Sequence, residues 1–217
     1  YTFLPTDNGT HTFQGGVTGG ANQLYNYNGG TLGGAGTVEL LNATLVLNSA
    51  LATSMAPLAP TTSIVNGPST LTLSSGVTTL FTTSTLNAPA VVEAGATLDL
   101  LNSDQLGTLT NGGTVLARGS STSNGLITTQ AASVLRVIGA SANAVLTVAN
   151  GFTNTAAIEL TSSGGGFGAT LNVTAGTLVN SPTGTITSLV GTAGLRNLGA
   201  QLDNQGLITV AQNLTTN

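Results

Sequence analysis

Few side chains of this sequence can transfer protons or bind charged groups, because charged residues make up only 5% of its 217 residues. The acids are Asp7, Glu39, Glu93, Asp99, Asp104, Glu159 and Asp203, and the bases are His11, Arg118, Arg136 and Arg196. Such a set would suit cleavage of a polysaccharide, since a glycosidase needs two carboxylates about 5 to 10 Å apart. Glu93, Asp99 and Asp104 form the densest acidic group. With Arg118 they are the best candidate for such a site, and the alternative is that all four are solvated surface charges.

No other set of reactive side chains has the spacing of a catalytic or metal site. No Ser–His–Asp arrangement is available beyond the one histidine near the start of the chain, His11, and with no cysteine no Cys/His cluster could hold zinc. The stretch Gly33-Gly-Ala-Gly36 lacks the aspartate that follows in calcium-binding solenoid repeats. The sequence therefore predicts a non-catalytic protein with no metal ion and no cofactor.

A five-residue motif recurs along the chain and predicts its secondary structure. It reads small, any, aliphatic, variable, aliphatic, and its copies are Ala43–Leu47, Ser69–Leu73, Ala96–Leu100, Ser133–Val137, Ala144–Val148, Ala156–Leu160 and Ala169–Val173. The variable position takes Val, Thr, Asp, Arg, Glu or Asn, whereas both of its neighbours are always Leu, Ile or Val. This alternation is typical of β-strands with one buried face and one wet face. Asp99 and Glu159 both occupy the wet position, so they can share a face.

The spacing of the copies predicts the fold. The later copies begin at positions 133, 144, 156 and 169, about half as far apart as the earlier copies at positions 43, 69 and 96. Two short steps make one long step, which indicates a coil of about 25 residues that carries two such strands. Stacked coils align their strands into long parallel sheets around a continuous core. The prediction is an all-β chain, a parallel β-solenoid of roughly eight coils and on the order of 40 Å in length.

The chain divides into residues 1–35 and a solenoid body over residues 36–217. The first segment holds five of the eight aromatic residues. Within it, Tyr1-Thr-Phe3 and His11-Thr-Phe13 alternate like short strands around an Asp7-Asn-Gly9 turn. One interpretation is a cap that covers the open end of the core. The others are an arm that pairs with a neighbouring subunit, or the tail of a preceding module.

Proline, glycine and asparagine predict where the coils bend. The prolines between Ala50 and Gly67 predict a loop or a bent corner that interrupts the repeat, because proline cannot donate to a strand ladder. Gly164-Gly-Gly-Phe-Gly168 predicts a tight corner or a site of close backbone approach, with the corner favoured. Asn154, Asn180 and Asn204 recur near the coil length and are predicted to stack at equivalent corners.

Composition excludes some partners. With no lysine, three arginines and a net charge of −4, the chain cannot replace the counterions on phosphates and is not expected to bind nucleic acid. No run approaches 18 apolar residues, so no transmembrane helix is predicted. The absence of cysteine suits a bacterial protein that crosses a membrane without forming disulfides. A start at Tyr1 indicates a processed terminus or a fragment.

Two stretches carry a resemblance to a known class of protein. Gly30-Thr-Leu-Gly-Gly-Ala-Gly-Thr-Val38 and Leu202-Asp-Asn-Gln-Gly-Leu-Ile-Thr-Val210 resemble the degenerate repeats of filamentous-haemagglutinin-like adhesins and autotransporter passenger domains. The resemblance implies a right-handed parallel β-helix that is exported to the bacterial cell surface and has an adhesive or structural role. It implies no particular functional residue.

The last stretch of the sequence predicts assembly. Residues 211–217 contain neither charge nor proline, the usual means by which a solenoid end avoids adding strands. We therefore expect end-to-end stacking into a fibre, or continuation into a longer chain, with contacts at Leu207, Ile208 and Val210 on one side. Tyr1, Phe3 and Phe13 are the candidates on the other side.

Two binding functions remain open on such a fold. The first is recognition or degradation of a carbohydrate, with surface glycans as partners, on an outward sheet face or beside residues 50–67. The second is ice binding by a flat threonine face, to which Thr72 and Thr147 would belong. The charged residues found at the same motif position argue against a regular threonine array.

Overall fold

The computed structural model describes residues 11–14, 23–29, 36–54 and 56–217, and within these ranges it contains strands and turns but no helix. The first nine strands are β1 (His11–Gln14), β2 (Gln23–Tyr27), β3 (Val38–Leu41), β4 (Ala43–Leu47), β5 (Leu51–Ala52), β6 (Leu58–Thr61), β7 (Ile64–Asn66), β8 (Leu71–Leu73) and β9 (Thr78–Thr82). The next nine are β10 (Thr85–Leu86), β11 (Ala90–Val92), β12 (Thr97–Leu101), β13 (Asp104–Gln105), β14 (Leu109–Asn111), β15 (Thr114–Arg118), β16 (Ser120–Ser123), β17 (Ile127–Thr129) and β18 (Val134–Gly139). The last eight are β19 (Ala144–Val148), β20 (Thr153–Asn154), β21 (Ala157–Ser162), β22 (Ala169–Asn180), β23 (Thr185–Ser188), β24 (Arg196–Asn204), β25 (Leu207–Val210) and β26 (Leu214–Thr216).

These strands form three parallel sheets of a β-solenoid, of which two, sheets A and B, extend from the first described coil to the last and the third, sheet C, covers only the strands from β5 to β17. Sheet A has the order β1-β3-β6-β9-β12-β15-β18-β21-β23-β25, and sheet B has the order β2-β4-β7-β10-β13-β16-β19-β22-β24-β26. Sheet C has the order β17-β14-β11-β8-β5, and β20 pairs with the second half of β22. From β3 to β17 the chain thus visits A, B and C in turn in each coil, and from β18 onward its strands belong to sheets A and B. The predicted all-β solenoid is confirmed, with about nine turns over a length of about 43 Å at the usual strand spacing.

Alternating side chains build the core. In β18 the residues alternate between half-buried and buried, so that Leu135 and Val137 point inward. Strand pairing places Leu98, Val115, Leu135, Ile158 and Ile186 in one inward column of sheet A. Each of these five side chains is 2% exposed or less. One coil earlier the same column holds Thr79, which is also fully buried, and from Leu98 to Ile186 the column is entirely aliphatic, the pattern expected where stacked coils share one continuous core.

The coil length differs between the two halves of the chain, and the copies of the sequence motif do not all lie in one sheet. Adjacent coils of sheet A pair Thr97 with Thr114 in the first half but Ala157 with Thr185 in the second, so the coil lengthens by more than half. The early motif copies at positions 43, 69 and 96 belong to strands of sheets B, C and A respectively. The long steps between these copies therefore connect strands of different sheets and do not measure the length of one coil. The predicted coil length describes the later half, where the copies do alternate between sheets A and B.

A ladder of buried serines closes the corner between sheets A and B in the first half. Its members are Ser63, Ser84, Ser103 and Ser121. The backbone N–H of Ser63 donates to Ser84 Oγ at 3.0 Å, that of Ser84 to Ser103 Oγ at 3.1 Å, and that of Ser103 to Ser121 Oγ at 3.2 Å. The hydroxyl of Ser84 in turn donates to the carbonyl of Thr82 at 2.8 Å. The ladder satisfies corner backbone groups that no strand can reach.

Each serine of this ladder except Ser121 directly follows a residue with a left-handed backbone. These residues are Thr62, Thr83 and Asn102, with φ of 51°, 49° and 51°. A left-handed threonine is unusual because its branched side chain crowds the backbone. The repetition of this conformation from coil to coil shows that the corner geometry takes precedence over local preference.

In the second half, a ladder of asparagines closes the corner at which the chain returns to sheet A, at the ends of β20, β22 and β24. Asn154, Asn180 and Asn204 are paired in register, as predicted. Asn154 Nδ2 donates to Asn180 Oδ1 at 2.9 Å, and Asn180 Nδ2 donates to Asn204 Oδ1 at 2.7 Å. Asn111 lies in the same column, because it pairs with Thr129, whose Oγ1 contacts the adjacent coil at Thr153 and Thr155. Thr129 therefore takes the place of an asparagine in the coil between that of Asn111 and that of Asn154.

The predicted interruption at residues 50–67 is wrong. That segment contains β5, β6 and β7, and Pro60 lies inside β6 with its ring in the interior. The pairing of β6 with β3 extends along the whole strand, whereas its pairing with β9 is confined to Thr61 and Thr82. Because proline has no N–H to donate, it shortens one ladder without expelling the strand from the coil.

Two further predictions concern a glycine corner and the first segment. Gly164–Gly168 forms the turn between β21 and β22, with positive φ at Gly165 and Gly166, so the corner is confirmed. In the segment 1–35, β1 and β2 pair in parallel with β3 and β4 and so extend sheets A and B. The predicted strand around Tyr1 to Phe3 and the turn at Asp7 to Gly9 lie outside the described residues.

We expect Asn180→Leu to destabilise the fold by about 2 kcal/mol or more, because it removes the buried bond from Asn154 Nδ2 to Asn180 Oδ1 and the donor to the carbonyl of Leu207, and places an aliphatic side chain between the polar side chains of the ladder. Urea unfolding monitored by far-UV circular dichroism measures the change. Asn204→Leu is the matched control, since Asn204 is exposed and bonds to only one asparagine below it. An equal loss in both variants would contradict a role for the buried ladder.

Candidate functional site

The acidic group that suggested a polysaccharide-cleaving site does not converge. Glu93 lies just after β11 of sheet C, Asp99 lies in β12 of sheet A, and Asp104 lies in β13 of sheet B. The three carboxylates therefore belong to three different sheets. They are close in sequence because the coil is short, with corners of only a few residues between its strands. The candidate site of Glu93, Asp99, Asp104 and Arg118 is not assembled, and only Asp99 and Arg118 meet.

Asp99 and Arg118 form an ion pair between adjacent coils. Arg118 Nε donates to Asp99 Oδ1 at 2.8 Å, and Arg118 Nη2 donates to Oδ2 at 2.6 Å. Asp99 as a residue is 8% exposed, and the arginine side chain is 29% exposed. Two parallel hydrogen bonds between guanidinium and carboxylate fix orientation as well as distance. The pair therefore fastens β12 to β15 and leaves little of the carboxylate open to a ligand.

Arg136 and Glu159 repeat the arrangement further along sheet A. The two residues are direct partners in register, and Arg136 Nε donates to Glu159 Oε2 at 2.5 Å. Asp99 and Glu159 do lie in one outward column, with Leu116 and Arg136 between them. Three strand steps separate them by about 14 Å, which exceeds the carboxylate separation of glycosidases. The predicted shared face is present, but it does not bring two carboxylates to one bond.

Arg196 is the largest fully buried side chain, and no pattern in the sequence indicated its burial. Its donors reach the carbonyls of Leu189, Val190 and Leu195 at 3.0 to 3.2 Å and Ser162 Oγ at 3.1 Å. No carboxylate pairs with it among these partners. Burial lowers the pKa of Arg196 from its ordinary value, because the charged form loses its hydration. The guanidinium holds both ends of the turn between β23 and β24.

The three arginines are therefore all occupied by internal bonds. Two join neighbouring coils through carboxylates and the third holds a turn from inside. Since the chain has no lysine, no guanidinium or ammonium group remains free to bind phosphate. Among the described residues no group of three or more His, Cys, Asp or Glu could hold a metal ion. Within the same ranges, no helix is long and apolar enough to cross a membrane.

Two surface regions could receive a ligand. One is a shallow groove at the corner between sheets C and A, lined by residues 129–134, 155–157, Thr183 and Thr185. The groove contains no charged side chain, so it has no group that would transfer a proton or bind an ion.

The other region is the outward face of sheet C, where one column of side chains carries no charge and the nearest acid in sequence, Glu93, lies beyond the end of β11. Strand pairing places Ala52, Thr72, Val91, Thr110 and Thr128 in one outward column. The charged members of the sequence motif, Asp99, Arg136 and Glu159, belong to sheet A. Thr72 therefore has no charged neighbour in its column, whereas Thr147 lies on sheet B. The objection to a threonine array applies to sheet A and not to sheet C.

The predicted assembly residues lie at opposite ends of the described solenoid. Leu207 and Val210 are 59% and 57% exposed, and Ile208 is half-buried against the core. All three belong to β25, which within the described ranges has one paired neighbour, β23. At the other end, Phe13 lies in β1 and its backbone pairs with that of Leu40. Tyr1 and Phe3 lie outside the described residues.

Comparisons of the chain with protein-family models, with curated proteins and with solved structures gave no significant match.

We expect Arg196→Met to destabilise the protein by about 2 to 4 kcal/mol, because three carbonyls at partly buried positions and the buried hydroxyl of Ser162 lose their donor. Chemical denaturation gives the change in the free energy of unfolding. Arg136→Met is the control, since its ion pair is partly exposed and worth about 1 kcal/mol or less. Similar losses in both variants would show that burial of Arg196 is not the source of its contribution.

Proposed function

We propose that this chain is a structural element: a rigid, non-catalytic β-solenoid that forms part of a bacterial surface fibre, adhesin or surface layer. The observation that carries the proposal is the use of its polar and charged side chains. Serines, asparagines and arginines that could serve a ligand instead bond one coil to the next. A chain that commits all three of its arginines and the carboxylates of Asp99 and Glu159 to internal bonds is suited to bearing load along its axis.

Stacking end to end is the second part of the proposal. Val210 is 57% exposed, whereas its partner one coil earlier, Ser188, is fully buried. Ile208 is half-buried, and its partner Ile186 is fully buried. Another coil placed on β25 would bury these side chains and pair the free edge of the strand. We propose a second copy of the chain as that coil, which would give a head-to-tail contact and hence a filament.

Export to the cell surface completes the proposal. It is supported by the resemblance of the repeats to those of bacterial surface proteins and by the absence of cysteine. A surface made mainly of hydroxyl, amide and small apolar side chains also suits a fibre in contact with uncharged material. The partners proposed are other copies of the chain and surface glycans.

The double variant Leu207→Asp/Val210→Asp should abolish stacking, because a coil placed on β25 would bury the carboxylate at position 210, whose equivalent Ser188 is fully buried, without a partner. We expect the unaltered chain to form rods that lengthen with concentration in electron micrographs and in sedimentation velocity, with a repeat of about 43 Å. The double variant should remain as short rods. Leu126→Asp is the control, since Leu126 is 63% exposed on the side of the solenoid. The proposal of stacking fails if the unaltered chain is monodisperse at every concentration.

A second candidate function is binding of an uncharged polysaccharide on the outward face of sheet C. The observation that favours it is the charge-free column of Thr72, Val91, Thr110 and Thr128, which presents hydroxyl and methyl groups at the strand spacing. Such a face would follow an extended glycan without ionic contacts. Glycan binding of this kind is compatible with the proposed fibre. It would make adhesion depend on specific side chains and not on the shape of the fibre alone.

Thr110→Glu should weaken co-sedimentation with an insoluble neutral polysaccharide by about tenfold or more if sheet C is the binding face, because a desolvated carboxylate would lack a partner. Thr187→Glu on sheet A provides the control, since Thr187 pairs with Glu159 and Thr209 in a different outward column. Equal binding by both variants would remove sheet C as the site. Equal binding of the unaltered chain to a charged surface would indicate non-specific adsorption.

A further inference from the structure

Asparagine followed by glycine occurs at several corners of the solenoid, and this pair has its own chemistry. Asn66-Gly67 lies at the end of β7 and Asn124-Gly125 follows β16, both where the chain leaves sheet B for sheet C. Asn111-Gly112 lies at the corner between sheets C and A. The backbone nitrogen that follows an asparagine can attack its side-chain carbonyl carbon. Glycine permits this best because it has no side chain to hinder the approach.

The corners differ in how far they restrain this reaction. Asn66 and Asn124 are exposed, and neither side chain makes a hydrogen bond to the described residues. The N–H groups of Gly67 and Gly125 also donate no hydrogen bond within the described residues. Both the electrophilic carbonyl carbon and the nucleophilic nitrogen are therefore available at these two corners.

Asn111 has the opposite environment and provides an internal comparison. Its residue is 1% exposed, its Nδ2 donates to the carbonyl of Val134 at 3.0 Å, and its Oδ1 accepts from Gly113 N at 3.1 Å. The N–H of Gly112 donates to the carbonyl of Val92 at 2.7 Å. The nitrogen that would attack is thus bonded elsewhere, and the amide that would be lost is held in the core. This pair can react only after its corner opens.

We propose that Asn66 and Asn124 are sites of spontaneous covalent modification, at which the side-chain amide becomes a carboxylate through a cyclic succinimide. Hydroxide removes the proton from the glycine nitrogen, and this nitrogen forms a bond to Cγ of the asparagine. The C–N bond of the side-chain amide breaks, and its nitrogen leaves as ammonia after taking a proton from water. Water then opens the ring at either carbonyl, which gives aspartate or isoaspartate. The net change is uptake of one water and release of one ammonia, with no oxidant or reductant.

The modification would alter the molecule at a sensitive place. Each conversion adds one negative charge to a chain whose net charge is −4. Isoaspartate also lengthens the backbone by one carbon at corners where the chain is tightly packed. A Cβ at Gly67 would approach the backbone of Leu47, and one at Gly125 would overlap the carbonyl oxygen of Gly107. Ageing would therefore loosen the corner between sheets B and C while leaving the asparagine ladder intact.

Asn150-Gly151 is an intermediate case. Asn150 is exposed, but its Nδ2 donates to the carbonyl of Asn124 at 2.9 Å. One hydrogen bond restrains the side chain, while the N–H of Gly151 donates to none of the described residues. Asn150 should therefore react more slowly than Asn124 and faster than Asn111.

The test compares each site in the folded chain with the same site in urea. The purified chain is aged in mildly alkaline buffer with and without denaturant, and peptide mapping by mass spectrometry follows the replacement of –NH2 by –OH. We expect Asn66 and Asn124 to react in the folded chain within about threefold of their rates in urea, because no opening is required. Asn111 should be slowed by folding about tenfold or more.

Two variants complete the design. Asn66→Gln and Asn124→Gln should each abolish the mass change at one site only, because glutamine would have to form a larger ring. A mildly acidic buffer should slow the reaction at both sites, since the nitrogen must lose a proton. The proposal is overturned if Asn66 and Asn124 stay unmodified in the folded chain while they react in urea. It is equally overturned if folded Asn111 reacts as fast as they do.

Discussion

Every coil of this solenoid must satisfy the backbone polar groups at its corners, and the rest of the structure depends on how it does so. Within the sheets, each strand bonds to the strands above and below it. At a corner the chain changes direction, so the N–H and carbonyl groups no longer face a regular partner and would be buried unpaired. Side chains from the neighbouring coil fill this need. Each of these side chains forms hydrogen bonds with the coil on either side of it. The bonds therefore repeat from coil to coil as a ladder.

The ladder changes its chemistry along the rod. In the first half, serine hydroxyls such as that of Ser103 close the short corner between sheets A and B. In the second half that corner lengthens into turns such as Gly164–Gly168, and stacked asparagines take over at the corner where the chain returns to sheet A. Where the longer turn at Val190 leaves several carbonyls inside, a guanidinium is required, and Arg196 supplies it. One of the three arginines of this weakly charged chain is thus fully buried and serves the interior instead of the surface.

How much of this could be read from the sequence differs between the two ladders. Alternation of aliphatic residues predicted the strands, and the spacing of Asn154, Asn180 and Asn204 predicted their stacking, because both patterns are local and repeat at one corner. The spacing of the early motif copies was misread, since alternation shows that a strand has an inward face but not which sheet it joins. The pairs Thr62-Ser63, Thr83-Ser84 and Asn102-Ser103 carried the information that was missed. They recur once per coil at a single corner, so the steps between them give the coil length of the first half directly.

Residues that are close in sequence can lie on different faces of such a fold and so cannot share a functional site. One short coil visits three faces, so Glu93, Asp99 and Asp104 diverge although they span few positions. The groups that do meet are those one coil apart, as Asp99 and Arg118 do, or Arg136 and Glu159. A functional site on this solenoid must therefore be sought among residues separated by whole coils in one outward column. By that criterion the described arginines and their acidic partners fasten coils together, and the uncharged column of sheet C remains as the surface with regular spacing and no internal use.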